Sequence, residues 1–171
     1  MALSTIDFRS WIDANRDKLK PPVGNCEIYP NHDFIVMVIG GPNSRTDYHV
    51  NGGEEFFYQL EGDIVLKIIE DGQFRDLLIK EGEILLLPAK VPQSPRRPAG
   101  SVGLVIERQR AKGEIDALIW YCEYCDHQLH KASFWLRDIA KDLVPEIKRF
   151  YASEELRLCA SCGKVHEVPT P

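Results

Sequence analysis

The sequence has little that would place the protein in a membrane or on a nucleic acid. No apolar run approaches the roughly 20 residues that a membrane-spanning helix needs. Its 21 Lys and Arg residues are outnumbered by 26 Asp and Glu residues, and the formal net charge of −5 excludes the basic surface typical of nucleic-acid-binding proteins. The first residues, MALSTIDFRSWID, carry charges where a signal peptide has its apolar segment, which predicts a cytoplasmic protein.

Internal repeats and low-complexity segments are also absent from the 171 residues. The composition, 44% hydrophobic and 27% charged, is that of an ordinary globular protein and excludes a disordered chain. The length is sufficient for one domain with its own core, together with a small appendage.

Short strands separated by turn residues predict an all-β region between residues 26 and 123. Gly-Gly, Glu-Gly and Asp-Gly pairs mark the turns, and strands so evenly spaced favour an antiparallel barrel or sandwich. Residues 5–19 have the periodicity of an amphipathic helix that ends at two prolines. We expect strands at 34–39, 55–60, 63–69, 74–79, 84–87, 102–107 and 117–122, and a helical tail at 136–155 that breaks or restarts at Pro145. The predicted domains are residues 1–120 and 121–171.

Four of the five cysteines form two CxxC pairs near the C-terminus. Each pair places two thiolates on one tight turn, and a second such turn completes a tetrahedral site. Four thiolates favour zinc or iron in a closed site with a structural or electron-carrying role; the alternative is two unrelated thiol pairs. Cys26 stands apart and is expected to be a small buried hydrophobic residue. The predicted metal ligands are Cys122, Cys125, Cys159 and Cys162.

Two further segments fit the metal-binding template of cupin barrels. The first contains His49 and Glu55 between two glycines, and the second spans residues 82–95. Cupins use such residues as a facial set of nitrogen and oxygen donors that leaves positions open for substrate and O2. Alternation along the strand separates Glu54 from Glu55 without saying which face is internal, and the template spacing selects Glu55. Asn51 stands where many cupins have a second histidine, so the first segment supplies one imidazole.

Several further motifs are distributed over nearly the whole chain. They are residues 20–23 (KPPV), 40–49 (GGPNSRTDYH), 54–59 (EEFFYQ), 86–89 (LLPA), 94–98 (SPRRP), 105–110 (VIERQR) and 120–122 (WYC), with the second CxxC pair. Together these motifs are specific, although each alone would be a weak signal. They resemble the 3-hydroxyanthranilate 3,4-dioxygenase family, and in particular its short microbial form with a cysteine-containing tail.

This resemblance implies a cupin double-stranded β-helix barrel with an N-terminal helix and a C-terminal helical appendage that carries a rubredoxin-like metal site of four cysteines. It further implies an Fe(II)-dependent, extradiol-type dioxygenase that is a homodimer. Its substrates would be 3-hydroxyanthranilate and O2, and its product 2-amino-3-carboxymuconate semialdehyde, which closes to quinolinate. The reaction would serve tryptophan catabolism through the kynurenine pathway and NAD biosynthesis, or 2-nitrobenzoate-like degradation.

The resemblance also implies roles for individual residues. His49 and Glu55 would hold the iron, while the substrate would chelate it through its phenolate and amine. Arg97 would pair with the substrate carboxylate, and Arg45 would both contact the substrate and stabilise anionic oxygen intermediates. Glu107 would accept a hydrogen bond or a proton from the hydroxyl or the amine. Asn25 is expected to contact the substrate when the site closes.

The sequence departs from the family at the third iron ligand, where Gln93 replaces a histidine. An amide oxygen is a neutral and weaker donor than imidazole, so we expect lower Fe(II) affinity, a changed reduction potential or loss of the metal. Three interpretations stay open. The protein is a working dioxygenase with a His/Glu/Gln site, or a dioxygenase with an altered metal or substrate, or a catalytically silent cupin that binds an aromatic acid or serves only as a scaffold.

Overall fold

The computed structural model describes residues 4–21, 24–43, 45–137 and 142–169, which are mostly strands joined by short loops. The helices are α1 (Phe8–Asn15), a following 3₁₀ helix (Arg16–Leu19), α2 (Val144–Ala152) and α3 (Glu154–Arg157). The strands are β1 (Asn25–Glu27), β2 (Phe34–Gly40), β3 (Tyr48–Val50), β4 (Glu55–Glu61), β5 (Ile64–Glu70), β6 (Gln73–Ile79), β7 (Ile84–Leu87), β8 (Gln93–Arg96), β9 (Val102–Arg108), β10 (Asp116–Tyr121) and β11 (Gln128–Phe134).

Two antiparallel sheets form the body of the protein. Their strand orders are β1-β2-β9-β4-β7 and β11-β10-β3-β8-β5-β6. Burial alternates along β4 and β5, so each strand turns one row of side chains inward. Apolar members of these rows pack between the sheets into one core that includes Phe57, Ile64, Leu66 and Val105. The all-β, cupin-type fold expected from the sequence is confirmed.

All seven predicted strands are present within about a residue of their expected bounds, and four further strands were missed. β1, β3 and β8 have only three or four residues each, too few to show an alternating pattern. β11 is a strand of seven residues, but its exposed and polar positions interrupt the pattern. β3 and β8 pair with each other through His49 and Gln93, so the missed strands are the ones that bring two predicted site residues together.

The N-terminal helix covers one end of the first sheet. Asp7 caps α1 by accepting a hydrogen bond from the Ser10 backbone N–H, and the 3₁₀ helix continues it to Leu19. Ile12 and Leu19 are buried against Val38 and Val102 of the sheet. Cys26 packs at the edge of the same cluster and is half-buried, so the expectation that it is a small hydrophobic residue holds in part.

The C-terminal segment packs on the second sheet. β11 pairs with β10 and extends that sheet across the predicted domain boundary at residues 120 and 121, and the boundary itself stays a prediction. In the predicted helical tail, residues 142–143 are π-helical, α2 begins at Val144, and Pro145 lies in the first turn of α2. Residues 138–141 of the predicted tail lie outside the described residues. Within the described part of the chain, no helix is both long and apolar enough to cross a bilayer.

Candidate active site and cysteine cluster

One cavity inside the barrel brings together all seven residues that the sequence predicts for the catalytic and substrate site. They come from both sheets and from the loops that join them. Apolar side chains form the rest of the wall, and two of these, Leu136 and Leu143, belong to the C-terminal segment. The seven predicted residues are Asn25, Arg45, His49, Glu55, Gln93, Arg97 and Glu107.

The three predicted metal ligands face one another across this cavity. His49 on β3 lies opposite Gln93 on the neighbouring β8, and Gln93 Nε2 lies 3.3 and 3.4 Å from the two carboxylate oxygens of Glu55 on β4. Gln93 Oε1 is buried and has no hydrogen-bond partner among the described residues. A buried acceptor without a donor is costly, so this oxygen is suited to a ligand that the protein does not itself supply.

The orientation of His49 is set by Asp116, whose carboxylate oxygen lies 2.7 Å from His49 Nε2. Burial opposes the charge of Asp116, but hydrogen bonds with His49 and Arg110 outweigh it and lower its pKa, so the group is ionised at neutral pH. An ionised carboxylate can only accept, which places the proton of His49 on Nε2 and leaves the Nδ1 lone pair available.

These donors fit a divalent metal ion. An imidazole nitrogen, a carboxylate and an unpaired amide oxygen on one cavity wall are a mixed nitrogen and oxygen set of the kind that iron accepts. Burial and the neighbouring charge of Glu107 raise the pKa of Glu55, although His49 acts in the opposite direction. A cation beside Glu55 would oppose this shift, because it stabilises the charged carboxylate.

Glu107 belongs to a buried polar network that sequence reasoning missed. Its carboxylate accepts a hydrogen bond from Asn51 Nδ2 and forms an ion pair of 2.9 Å with Arg110 Nη1. Arg110 also forms an ion pair of 2.7 Å with Asp116, the residue that holds His49. The network therefore connects the predicted acid–base group with a predicted metal ligand. The available signal was the presence of charged residues at the ends of the otherwise apolar strands β9 and β10.

Asn51 takes part in this network and does not serve as a metal ligand. Its Oδ1 accepts the Gly53 backbone N–H at 2.8 Å, which fixes the amide so that Nδ2 points at Glu107. Where many cupins have a second histidine, this chain thus has a group that orients a carboxylate.

Arg97 is buried, with 3% of its surface exposed, and no carboxylate forms an ion pair with it among the described residues. Its only hydrogen bond there from the guanidinium goes to Gln59 Oε1 at 3.3 Å, and its Nε has no partner. Burial without a counterion lowers the pKa of Arg97 to about 10. Gly103 makes room for the group, because a Cβ there would lie 2.7 Å from Arg97 Nη1.

Arg45 differs from Arg97 because it has an internal counterion. Asp47 is buried and contacts the Arg45 guanidinium at 3.0 and 2.5 Å. Burial acts against the Arg45 charge, but the charge and hydrogen bonds of Asp47 raise its pKa. The Arg45 side chain is 40% exposed, so it reaches from the cavity towards solvent. Asn25 lies on the edge strand β1, also at the cavity wall.

The four predicted cysteine ligands form a separate cluster in the C-terminal segment. Their Sγ atoms all lie within 4.8 Å of one another, and two of the Sγ pairs are 3.6 Å apart. Burial disfavours the Cys159 thiolate, but backbone N–H groups of Cys162 and Ser161 outweigh it and lower the pKa of Cys159 to about 6. Thiolates that close, two from each CxxC turn, could hold a metal ion.

The two antiparallel sheets and the buried, polar cavity between them are those of a cupin-type barrel. The model of the family described as 3-hydroxyanthranilic acid dioxygenase matches residues 1–151. A relative from Jannaschia sp. (strain CCS1) is 54% identical over 170 residues, which cover 99% of this chain and 94% of the relative. A second, from Xanthomonas euvesicatoria pv. vesicatoria (strain 85-10), is 52% identical over 169 residues, with 99% and 96% covered.

A third relative, from Shewanella woodyi (strain ATCC 51908 / MS32), is 50% identical over 170 residues, which cover 99% of this chain and 90% of the relative. All three are named 3-hydroxyanthranilate 3,4-dioxygenase. The chain therefore belongs to the 3-hydroxyanthranilic acid dioxygenase family. The resemblance found in the sequence motifs is confirmed.

Proposed function

We propose that the protein is an Fe(II)-dependent dioxygenase that opens the ring of 3-hydroxyanthranilate with O2 and forms 2-amino-3-carboxymuconate semialdehyde. The names of its relatives support the reaction. The observation that carries the proposal is Arg97, a buried guanidinium with no carboxylate partner in the described part of the chain, in the same cavity as His49, Glu55 and Gln93. Such a group is expected where an anionic ligand completes the site, and the substrate carboxylate is that anion.

Each side chain then has a task set by its contacts. Arg97 binds the carboxylate, since its guanidinium forms no ion pair with a carboxylate among the described residues. Glu107 accepts a proton or a hydrogen bond from the substrate hydroxyl or amine, and its ion pair with Arg110 holds the carboxylate in place. Arg45 stabilises negative charge that develops on oxygen, and the apolar wall excludes water from the ring. Bound Fe(II), held by His49, Glu55 and Gln93, would supply the redox chemistry that lets O2 react with an aromatic ring.

We further propose that the cysteine cluster holds iron or zinc in a structural role. Four thiolates leave no open position for a substrate, and none of the four cysteines lines the barrel cavity. The homodimeric state, the cytoplasmic location and the place of the reaction in quinolinate and NAD biosynthesis stay predictions.

A second candidate function follows from Gln93. A neutral amide is a poorer iron ligand than imidazole, so a protein that keeps Arg97 and Glu107 but binds no iron would be a catalytically silent receptor for an aromatic acid. The two functions differ in metal content and turnover, not in ligand affinity.

The test is anaerobic Fe(II) reconstitution followed by 3-hydroxyanthranilate and air, with O2 uptake and semialdehyde absorbance as readouts. Q93H is measured in parallel, with Q73H as a control because Gln73 is exposed on β6. We expect Q93H to bind Fe(II) at least about 10-fold more tightly and Q73H to behave as the parent protein. Turnover by the parent establishes the dioxygenase. Turnover only by Q93H shows an intact pocket disabled at residue 93, and no turnover by either leaves the receptor function.

A further inference from the structure

The C-terminal segment contacts the loop that carries Arg45. Thr46 is the meeting point, because its backbone N–H donates to Tyr151 Oη at 3.2 Å. Its hydroxyl lies 3.0 Å from the same Tyr151 oxygen and 2.9 Å from His166 Nε2. Tyr151 is on α2, and His166 follows the second CxxC pair. Three hydrogen bonds thus join one residue of the barrel loop to the appended segment.

Thr46 stands between the two members of an ion pair at the cavity. Asp47 on one side is buried and holds the guanidinium of Arg45 on the other. The guanidinium of Arg96 binds the Arg45 carbonyl oxygen. Residues 45–47 precede β3 and have no strand partner of their own. Their position therefore depends on these side-chain contacts and on the three bonds to Thr46.

The two partners of Thr46 are themselves held firmly. Tyr151 follows Phe150, which is fully buried and stacks on Trp120 with ring centroids 4.4 Å apart. His166 is buried edge-on against Phe150, and its backbone exchanges two hydrogen bonds with Arg157, of 2.9 and 2.8 Å. The clasp formed by Thr46, Tyr151 and His166 thus connects a loop with few backbone contacts to a rigid aromatic cluster.

We propose that Thr46, Tyr151 and His166 are positioning residues that hold Arg45 in the geometry needed for reaction. This inference rests on the proposed function, because it takes Arg45 as the group that stabilises developing negative charge. Tyr151 and His166 do not line the barrel cavity and so act through Arg45. A catalytic guanidinium must be held to within a fraction of an ångström, and displacement by about 1 Å can cost on the order of 100-fold in rate.

The first test compares T46V, which removes the hydroxyl, with T46S, which keeps it, and with Y151F. Y29F is the matched control, since Tyr29 is exposed and lines a separate cavity that contains none of the clasp residues. In T46V and Y151F we expect kcat to fall about 10-fold with KM changed less than about 2-fold, because Arg97 still binds the carboxylate. T46S and Y29F should behave as the parent protein. Equal loss in T46S and T46V would overturn the proposal.

Two further measurements separate positioning from general stability. Backbone amide exchange at residues 45–47 should accelerate about 10-fold in Y151F and stay unchanged in Y29F. In an R45K background, Y151F should cause no additional loss of kcat, because its effect passes through Arg45. Unchanged exchange, or a loss that persists in R45K, would refute the clasp. A parent protein that is inactive on 3-hydroxyanthranilate would refute the proposed function. Because amide exchange does not require turnover, the exchange experiment would still decide whether the clasp holds the loop.

Discussion

Replacing Arg97 with methionine is expected to stabilise the ligand-free protein while removing its ability to bind a carboxylate. Arg97 is buried and has no counterion among the residues that the structure describes, and burial lowers its pKa to about 10. In the unfolded chain the group regains water and an ordinary, higher pKa. The folded state therefore holds a charge that it disfavours, as expected where a site is completed by an anion from outside.

The sign and size of the effect follow from this difference in pKa. Below pH 10 the guanidinium is charged in both states and the full penalty acts against folding; above pH 10 the penalty fades until the pKa of the unfolded chain is reached. At about 1.4 kcal/mol per pKa unit, the penalty at neutral pH is about 3 kcal/mol. Loss of the long hydrogen bond to Gln59 offsets about 1 kcal/mol of the gain. R97M should then be about 2 kcal/mol more stable, which raises Tm by about 4–8 °C.

The assay is thermal and urea unfolding at pH 7, with and without 2-aminobenzoate as a carboxylate probe. The parent protein should gain about 2.7 kcal/mol at a probe concentration 100 times its Kd, and R97M should gain nothing. R75M is the matched control, because Arg75 is half-exposed in an ion pair with Glu70 and should change stability by less than about 1 kcal/mol. A decrease in the stability of R97M, or equal stabilisation of both proteins by the probe, would show that Arg97 is an ordinary structural residue.

Two other predictions concern the groups around the metal sites. D116N should weaken Fe(II) binding in the cavity by about 10–100-fold, because the charge that keeps the His49 proton on Nε2 is lost; a metal titration with unchanged affinity would contradict this role. C162S should remove one equivalent of metal from the protein and accelerate amide exchange at residues 153–166, while the central strand β9 keeps its protection because its contacts lie in the barrel. Metal analysis and exchange mass spectrometry measure both effects, and equal loosening of β9 would refute a separate structural role for the cluster.

The seven residues predicted for the site meet in one cavity, and they could be predicted because each lies in or beside a short sequence motif. His49 and Glu55 fit the spacing of a known metal-binding template, and the CxxC spacing itself indicates two thiolates on one tight turn. Asp116 and Arg110 were missed because their roles depend on pairing of β3 with β10 and on a loop that brings Arg110 back to Glu107 and Asp116. The hydrophobic periodicity of the sequence does not predict such contacts, because the partners are brought together only by the register of the strands.

The same limit applies to the clasp at Thr46. Its partners lie 105 and 120 residues away in the chain, and a threonine, a tyrosine and a histidine carry no spacing that links them. The strand pattern likewise failed at β3 and β8, where short length and polar residues hide the alternation. Functional residues are the ones that break the hydrophobic pattern, so the elements that carry them are the hardest to recognise from it.

The charges around the cavity favour the proposal that a metal ion and a carboxylate substrate bind there together. The charged side chains that line the cavity, or that form an ion pair with a lining residue, are three guanidinium groups and four carboxylates, which together leave one negative charge in excess. A divalent cation alone would leave one positive charge, and a monoanionic acid alone would leave two negative charges, whereas both together give neutrality. Gln93 does not alter this balance, since an amide and a neutral imidazole carry the same charge; it alters only the strength of one donor. The seven groups are Arg45, Arg97, Arg110, Asp47, Glu55, Glu107 and Asp116.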